Sequence, residues 1–311
     1  MMKYGFGVDL GGTTVKIAFF DETGTILEKW EIPTRTQNQG QQILPDIADS
    51  VLHFLKVRKI EKRYLLGIGM GVPGPVRPDG TVNGCVNLGW GVLNIETTLG
   101  ELTGLKVKAG NDASVAALGE CWKGGGQGYH NMIMVTLGTG VGGGIVIDGK
   151  VLHGTHGAGG EIGHIPLNIA ETEPCNCGNY GCAEQYCSAT GIVRLAKRYF
   201  AANVGCALEK QDLTAKDIFD AAAAGDEAAK TITGQYYDLL GRFLATVCCV
   251  TDPELVVLGG GVSKAGAPLL HGAKESFLRY AFPGCKETKF ALATLGNDAG
   301  AYGAFRLICD E

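Results

Sequence analysis

The residues best suited to chemistry in this 311-residue chain lie between residues 154 and 184. His164 is followed by Cys175, Cys177 and Cys182, with ten, one and four residues between successive members. One imidazole and three thiolates match the ligand set of a closed, tetrahedral zinc site. The spacing therefore predicts a structural Zn²⁺, and unligated thiols in a mobile loop are the alternative.

Two carboxylates bracket these four residues in sequence. Glu161 lies three residues before His164, and Glu184 lies two residues after Cys182. Folding of the segment around a metal would bring both carboxylates toward one place. We therefore expect the metal to hold the segment together and to orient the two glutamates. Four protein ligands leave no open coordination position for Lewis-acid catalysis.

Composition narrows the class of protein. The length favours two domains, and the net charge of −5 argues against nucleic acid as a partner. The 49 glycines cluster at predicted strand ends, which indicates tight loops near a ligand. No basic, apolar leader and no run of about 18 apolar residues occurs, so neither secretion nor a membrane span is expected. With 11 cysteines, an odd number, a reducing cytoplasm fits better than a disulfide framework.

Hydrophobic periodicity supplies the elements that must position these residues. The N-terminal part reads as a three-strand meander, a helix, a buried strand, an irregular stretch over 80–92, a short helix, and a strand leading into a helix capped at Asn111. The C-terminal part reads as mostly helical, with two strands. Its predicted elements are helices at 184–202, 214–224, 226–251, about 267–280 and 298–308, and strands in 255–266 and 289–295.

The meander recurs along the chain. Residues 8–21 align without a gap with residues 135–148, at an offset of 127 residues. Both segments contain an apolar strand, a Gly/Thr turn, a second apolar strand and an aspartate. The repeat predicts two domains of the same topology facing each other across a cleft, and chance similarity is the alternative.

Three glycine-rich loops follow buried strands. Glycine lets backbone N–H groups approach phosphate oxygens, and threonine hydroxyls add donors. The candidate phosphate-binding residues in these loops are Gly11, Gly12, Thr13, Thr14, Gly138, Thr139, Gly140, Gly260 and Gly261. Each loop alone fits a tight turn, but together they predict a triphosphate gripped between two hairpins. The G-x-G-x-x-G pattern that begins at Gly138 is a weak dinucleotide match, because a strand follows it.

Two aspartates lie at positions where a carboxylate could take part in catalysis. Asp9 ends the first strand, where a carboxylate can hold Mg²⁺ through water; a turn-capping role is the alternative. Asn111 and Asp112 lie where a strand turns into a helix, which is also an ordinary N-cap position. A carboxylate there can act as general base toward an attacking hydroxyl, as kinase-type phosphoryl transfer requires. Asn111 would orient the same substrate.

The motifs together resemble the ROK family of sugar kinases and sugar-responsive repressors, within the actin/hexokinase-like superfamily. The similarity covers nearly the whole chain and is most specific at GEIGH and CxCGxxGCxE. The quoted segments are DLGGTTVK, GVPGPV, NLGW, GNDASVAALGE, TLGTGVGGGIV, GAGGEIGH, CNCGNYGCAE and LGGGVS.

The resemblance implies an α/β fold with two actin-like ATPase (RNase H-like) domains flanking a cleft and a zinc-stapled insertion. We expect an N-terminal domain over 1–115, onto which a C-terminal helix at 298–311 packs back, and a larger domain over 116–297. The resemblance places zinc on His164, Cys175, Cys177 and Cys182, and ATP at 11–14, 136–140 and 259–262. It assigns sugar binding to Asn111, Asp112, Glu161, His164 and Glu184, with Asp112 as the base. Asn87, in NLGW, is a further sugar-contact candidate, or else a loop-capping residue.

The predicted function is ATP-dependent phosphorylation of a hexose 6-hydroxyl, with glucose the first choice and Mg²⁺ and structural Zn²⁺ as cofactors. A kinase for N-acetylmannosamine, fructose or allose is the nearest alternative. A non-catalytic sugar sensor is disfavoured, because the related repressors carry a DNA-binding helix-turn-helix before the first strand, and here that strand begins by Tyr4. The resemblance also implies a homodimer or homotetramer. The sequence does not decide between ATP and polyphosphate as donor.

Overall fold

The structure, a computed structural model, describes residues 2–309. The chain forms two compact units. The first consists of Met1–His130, Gly144–Gly160 and Thr294–Glu311, and the second of Asn131–Gly143 and Glu161–Ala293. No helix within residues 2–309 has both the length and the apolar character needed to cross a lipid bilayer.

The first unit is built on a five-stranded mixed sheet of order β3-β2-β1-β4-β7. The first three strands form the predicted antiparallel meander, and β4 and β7 extend the sheet in parallel from β1. A separate hairpin pairs β5 with β6. The strands are β1 Tyr4–Leu10, β2 Thr14–Asp21, β3 Ile26–Pro33, β4 Leu65–Val72, β5 Thr81–Cys85, β6 Trp90–Asn94 and β7 Val107–Asn111.

Helices belonging to this unit cover the sheet. They are α1 Ile43–Arg58, α2 Ile95–Thr103, α3 Asp112–Lys123 and α9 Ala299–Leu307. Ile47 and Val51 of α1 are buried in the same apolar cluster as Phe6 and Val8 of β1. Helix α9 packs on α3, β1 and β4. It approaches the sheet so closely that a Cβ at Gly69 would lie 1.6 Å from a backbone oxygen of α9.

The second sheet has the order β10-β9-β8-β11-β12, with β11 parallel to both β8 and β12. Its strands are β8 Met132–Leu137, β9 Val141–Ile147, β10 Lys150–Val151, β11 Leu255–Gly259 and β12 Lys289–Leu292. Its helices are α4 Glu184–Cys187, α5 Ala189–Ala202, α6 Ala215–Ala223, α7 Glu227–Thr251 and α8 Ala267–Tyr280.

The predicted repeat is confirmed as a repeat of sheet topology. In each sheet the first strand has the second on one side and a later parallel strand on the other. β1 ends at Leu10 and β8 at Leu137, and β2 begins at Thr14 and β9 at Val141. Both pairs of boundaries reproduce the offset of the sequence alignment.

Two predictions of local structure were wrong. Residues 80–92 were expected to be irregular, yet they contain the β5–β6 hairpin, in which Cys85 pairs with Trp90. Four glycines in this stretch hide the strand pattern, and burial of Val82 and Trp90 supplies the driving force. The single helix expected over 184–202 is broken at Ser188, whose extended backbone ends α4 and whose side chain caps α5.

The final helix is α9; residues 310 and 311 of the predicted helix lie outside the described residues.

Candidate functional site

The first unit places three predicted site residues along the carboxyl edge of its parallel strands. Asp9 of β1 pairs in register with Gly71 of β4, which pairs with Gly110 of β7. Asn111 ends β7 and Asp112 begins α3. Because the carboxyl ends of parallel strands meet at one edge, the sheet gathers these polar side chains, and ligands bind at such edges in open α/β sheets.

Asn111 and Asp112 are oriented by local hydrogen bonds. The Asn111 Oδ1 accepts from the N–H of Ser114 at 3.1 Å, so the predicted N-cap is confirmed. The Asn111 Nδ2 donates to the Gly74 carbonyl and to Asp112 Oδ1, both at 3.1 Å. The N–H of Ala113 donates to the same carboxylate oxygen at 2.8 Å. The proline-rich turn over 71–76 therefore lies directly beside the candidate base.

Asp9 lies in a confined, electrostatically coupled position. Burial raises the pKa of its carboxyl group; Lys16, whose Nζ lies 3.8 Å from Oδ2, opposes this shift, and Asp112 adds to it. A Cβ at Gly300, in the first turn of α9, would lie 2.7 Å from the Asp9 carboxyl carbon. A divalent cation would favour the charged carboxylate, so the position suits Mg²⁺.

The loop between β1 and β2 is a tight turn. The N–H of Gly11 donates to the Thr14 carbonyl at 3.0 Å, and Thr34 Oγ1 donates to the Gly11 carbonyl at 2.7 Å. Gly12 and Thr13 are exposed at the tip of the turn. The tip of the turn therefore leaves a glycine backbone and a threonine hydroxyl open to solvent, and phosphate binding there stays a prediction.

The second unit brings together the other two glycine-rich loops. Thr136 of β8 pairs in register with Gly259 of β11, so the loops that follow these strands leave the same edge. Gly260 has φ of +82°, and a Cβ there would lie 2.6 Å from the Leu137 carbonyl oxygen. Thr139, Gly260 and Gly261 are exposed. A cavity of about 310 Å³ adjoins Gly261 and is lined by Phe219, Val262 and Ala189 among others.

The four predicted metal ligands form a cluster in the second unit. One ring nitrogen of His164 and the three sulfur atoms all lie within 4.8 Å of one another. Cys175 Sγ is 3.8 Å from the imidazole Nδ1, and the sulfurs of Cys177 and Cys182 are 3.7 Å apart. Zn–S bonds of about 2.3 Å in a tetrahedron place sulfurs about 3.8 Å apart, so the donor set fits zinc.

Local turns create this cluster. The N–H of Cys175 donates to the Asn179 carbonyl at 2.7 Å, and the N–H of Gly178 donates back to the Cys175 carbonyl at 2.9 Å. An isolated antiparallel β-bridge pairs Cys182 with Pro166, two residues after His164, and so places the last cysteine near the histidine. Burial, reinforced by the neighbouring thiols, raises the pKa of Cys182 to about 12. A metal would therefore displace a proton on binding there, which makes metal affinity depend on pH.

Both bracketing glutamates lie beside the cluster, and each is close to a different predicted metal ligand. Glu161 Oε2 lies 3.8 Å from the His164 Nε2, whereas the Cys175 sulfur lies 3.8 Å from the other ring nitrogen, Nδ1. Glu184 Oε1 lies 3.8 Å from the Cys175 sulfur, while its Oε2 accepts from the Val141 N–H at 3.0 Å. Glu184 thus also contacts the glycine-rich loop after β8, which the sequence did not indicate.

The remaining predicted contact, Asn87, is exposed on the short turn Val86–Leu88 between β5 and β6. Its role in sugar binding stays a prediction. The predicted site residues are thus distributed over both units: Asp9, residues 11–14, Asn87, Asn111 and Asp112 belong to the first, and the others to the second.

Sequence reasoning missed a buried charge network behind the metal cluster. The Glu171 side chain is only 1% exposed and contacts Tyr186 and the guanidinium groups of Arg194 and Arg198. Hydrogen bonds from Tyr186, Arg198 and the backbone outweigh desolvation by burial, the largest single effect, and lower its pKa to about 2. The acidic composition of residues 171–173 was the only sequence signal, and it equally fits a solvated loop.

Comparisons with known proteins agree with this architecture. The ROK family model matches residues 5–311. The glucokinase of Halalkalibacterium halodurans is 45% identical, over 97% of this chain and 94% of the relative. The glucokinase of Thermotoga maritima is 37% identical, over 97% of this chain and 96% of the relative.

A solved structure gives the same result. A ROK family glucokinase from Streptomyces griseus, in complex with glucose and AMPPNP, superposes with a TM-score of 0.74 at 33% identity. The match covers 99% of each chain. The nearly full-length match to the family model, together with these identities, shows that the chain belongs to the ROK family.

Proposed function

We propose that this protein is a glucokinase that transfers the γ-phosphoryl group of ATP to the 6-hydroxyl of glucose. The observation that carries the proposal is the gathering of Asp9, Asn111 and Asp112 at one strand edge, in a chain that is 45% and 37% identical to two glucokinases over nearly its whole length. Such an edge suits an acid–base group placed next to a metal-binding carboxylate.

In the proposed reaction Asp112 takes the proton of the 6-hydroxyl as that oxygen attacks the γ-phosphorus. The bond from phosphorus to the β–γ bridging oxygen breaks, and ADP leaves with the bonding electron pair. Asn111 and the Ala113 N–H hold one oxygen of the base, so the carboxylate is oriented before substrate arrives.

The donor would be bound by the glycine-rich loops. The exposed Gly12 and Thr13, and Thr139, Gly260 and Gly261 of the second unit, offer backbone N–H groups and hydroxyls for phosphate oxygens. The cavity beside Gly261, with the ring of Phe219 in its wall, would take the nucleotide base. Asp9 would hold Mg²⁺, which supplies charge neutralisation when bound.

The metal cluster would serve sugar recognition. Zn²⁺ on His164 Nδ1 would fix the imidazole tautomer and leave Nε2–H as a donor, next to Glu161. Glu161 and Glu184 would accept hydrogen bonds from sugar hydroxyls and reject analogues that lack them. We also propose the dimeric or tetrameric assembly that the family resemblance implies, which sedimentation analysis would test.

A coupled ATP-consumption assay over a panel of hexoses tests the function. Glucose should give the largest kcat/KM, with glucose 6-phosphate as product. A larger value for an N-acetylated sugar, fructose or allose would assign a different kinase. Tight binding of a sugar without turnover would favour a sensor, and an arm with inorganic polyphosphate would decide the donor.

A further inference from the structure

The short segment 184–190, which we call the connector, follows the last cysteine of the metal cluster and reaches the glycine-rich loop 138–141. Three hydrogen bonds join the two. Glu184 Oε2 accepts from the Val141 N–H at 3.0 Å. The Ala189 N–H donates to the Gly138 carbonyl at 2.8 Å, and Thr190 Oγ1 donates to the Thr139 carbonyl, also at 2.8 Å.

The other end of the connector is fixed to the metal cluster. Cys182 lies two residues before Glu184, and the intervening Ala183 is fully buried and donates its N–H to the Ile165 carbonyl at 2.9 Å. Glu184 Oε1 lies 3.8 Å from the Cys175 sulfur. Glu184 of the connector therefore lies beside a cysteine of the cluster, while Ala183, which joins the connector to Cys182, is hydrogen-bonded next to His164.

The middle of the connector is buried and held by hydrogen bonds. Cys187 and Ser188 are 0% exposed, and the buried Tyr236 hydroxyl donates to the Cys187 carbonyl at 2.8 Å. Ser188 caps α5 by accepting from the Gly191 N–H at 2.9 Å. A displacement at one end of so confined a segment is passed to the other, because packed interiors have little free volume.

The loop itself depends on this support. Its glycines at 138 and 140 confer backbone freedom, and ordering them for a ligand costs conformational entropy. The connector holds the carbonyls of Gly138 and Thr139 and the N–H of Val141, which fixes the direction of the intervening peptide groups.

We infer that the connector couples the metal cluster to the nucleotide loop, so that metal binding strengthens binding of the phosphoryl donor, with Thr190 as a positioning residue. The inference rests on the proposed function for the identity of the ligand, a nucleoside triphosphate. It adds to that function a second role for the metal, beyond holding the two glutamates.

Calorimetric titration of the zinc-loaded full chain with Mg·AMPPNP, without sugar, tests the positioning role. Thr190→Val should weaken nucleotide binding about fivefold, the equivalent of one hydrogen bond of roughly 1 kcal/mol, and Thr190→Ser should restore it. Glucose affinity should not change. The matched control is Thr231→Val, which removes an exposed helix threonine hydroxyl that also donates to a backbone carbonyl.

The coupling is tested by removing the metal with a zinc-selective chelator that spares Mg²⁺. Chelation should weaken AMPPNP binding to the wild type at least threefold, and by a smaller factor in Thr190→Val, since that variant has already lost part of the connection. Equal chelation losses in the two proteins, unchanged affinity on chelation, or wild-type affinity in Thr190→Val would each overturn the inference. Lack of hexose turnover would instead refute the proposed function, because the AMPPNP titrations that test the coupling contain no sugar.

Discussion

The strongest stability prediction concerns the buried carboxylate of Glu171. Glu171→Gln keeps the shape of the side chain but removes the charge that faces Tyr186, Arg194 and Arg198. Breaking a buried ion pair by removing one partner costs about 3–5 kcal/mol. Because Arg198 is 45% exposed, solvent screens part of this interaction, and we expect about 2–3 kcal/mol.

The loss should be visible as a melting shift. In a domain of about 150–250 residues, each kcal/mol lost from the free energy of unfolding lowers Tm by about 2–4 °C. The metal-loaded variant should therefore melt roughly 5–10 °C below the wild type. Differential scanning calorimetry at pH 7 measures this shift. The control, Glu227→Gln, removes an 86% exposed carboxylate paired with Lys230 and should change Tm by no more than about 1–2 °C.

The pH dependence gives an independent check with a defined sign. The pKa of Glu171 is lowered from 4.5 to about 2 in the folded protein, so its stabilisation is present above pH 4.5. It is lost as the pH falls from about 4.5 toward 2. The Tm difference between wild type and Glu171→Gln should therefore be constant from pH 7 to pH 5 and shrink at pH 4. A difference below about 2 °C at pH 7, or one that grows on acidification, would refute the reasoning.

Three further perturbations follow from the described contacts. Asp112→Asn should lower kcat by about 10²-fold or more while calorimetry still detects glucose binding, and near-normal turnover would contradict the assignment of the base. Cys177→Ser should reduce the zinc content measured by elemental analysis and lower Tm, whereas Cys249→Ser, at another exposed cysteine, should alter neither; equal zinc in both variants would exclude the cluster. Gly69→Ala should cost several kcal/mol in urea unfolding, because its Cβ would overlap a backbone oxygen of α9, while Gly234→Ala, in open space on α7, should be neutral or stabilising by up to about 1 kcal/mol.

The sequence allowed most of the elements, and the clustering of His164 with three cysteines, to be predicted. Alternating and helical periodicities depend on which face of an element is buried, so they survive in the one-dimensional pattern. The cluster of His164 and the three cysteines was predictable for a chemical reason, since few other functions require thiolates at that spacing. The internal repeat was predictable because the turn chemistry at Gly11 and Gly138 is constrained by the same strand geometry.

Only the tertiary structure decided how side chains of distant segments meet. It placed Glu184 on the Val141 N–H, a contact that the sequence did not indicate. It also placed Glu171 beneath two arginines of α5, although a glutamate there reads equally well as solvent-exposed. It also showed the β5–β6 hairpin, whose stability comes from burial of Trp90 rather than from its glycine-rich local sequence. Local patterns record what a residue prefers, whereas charge pairing and close packing depend on which partners the fold delivers, and that information is spread over the whole chain.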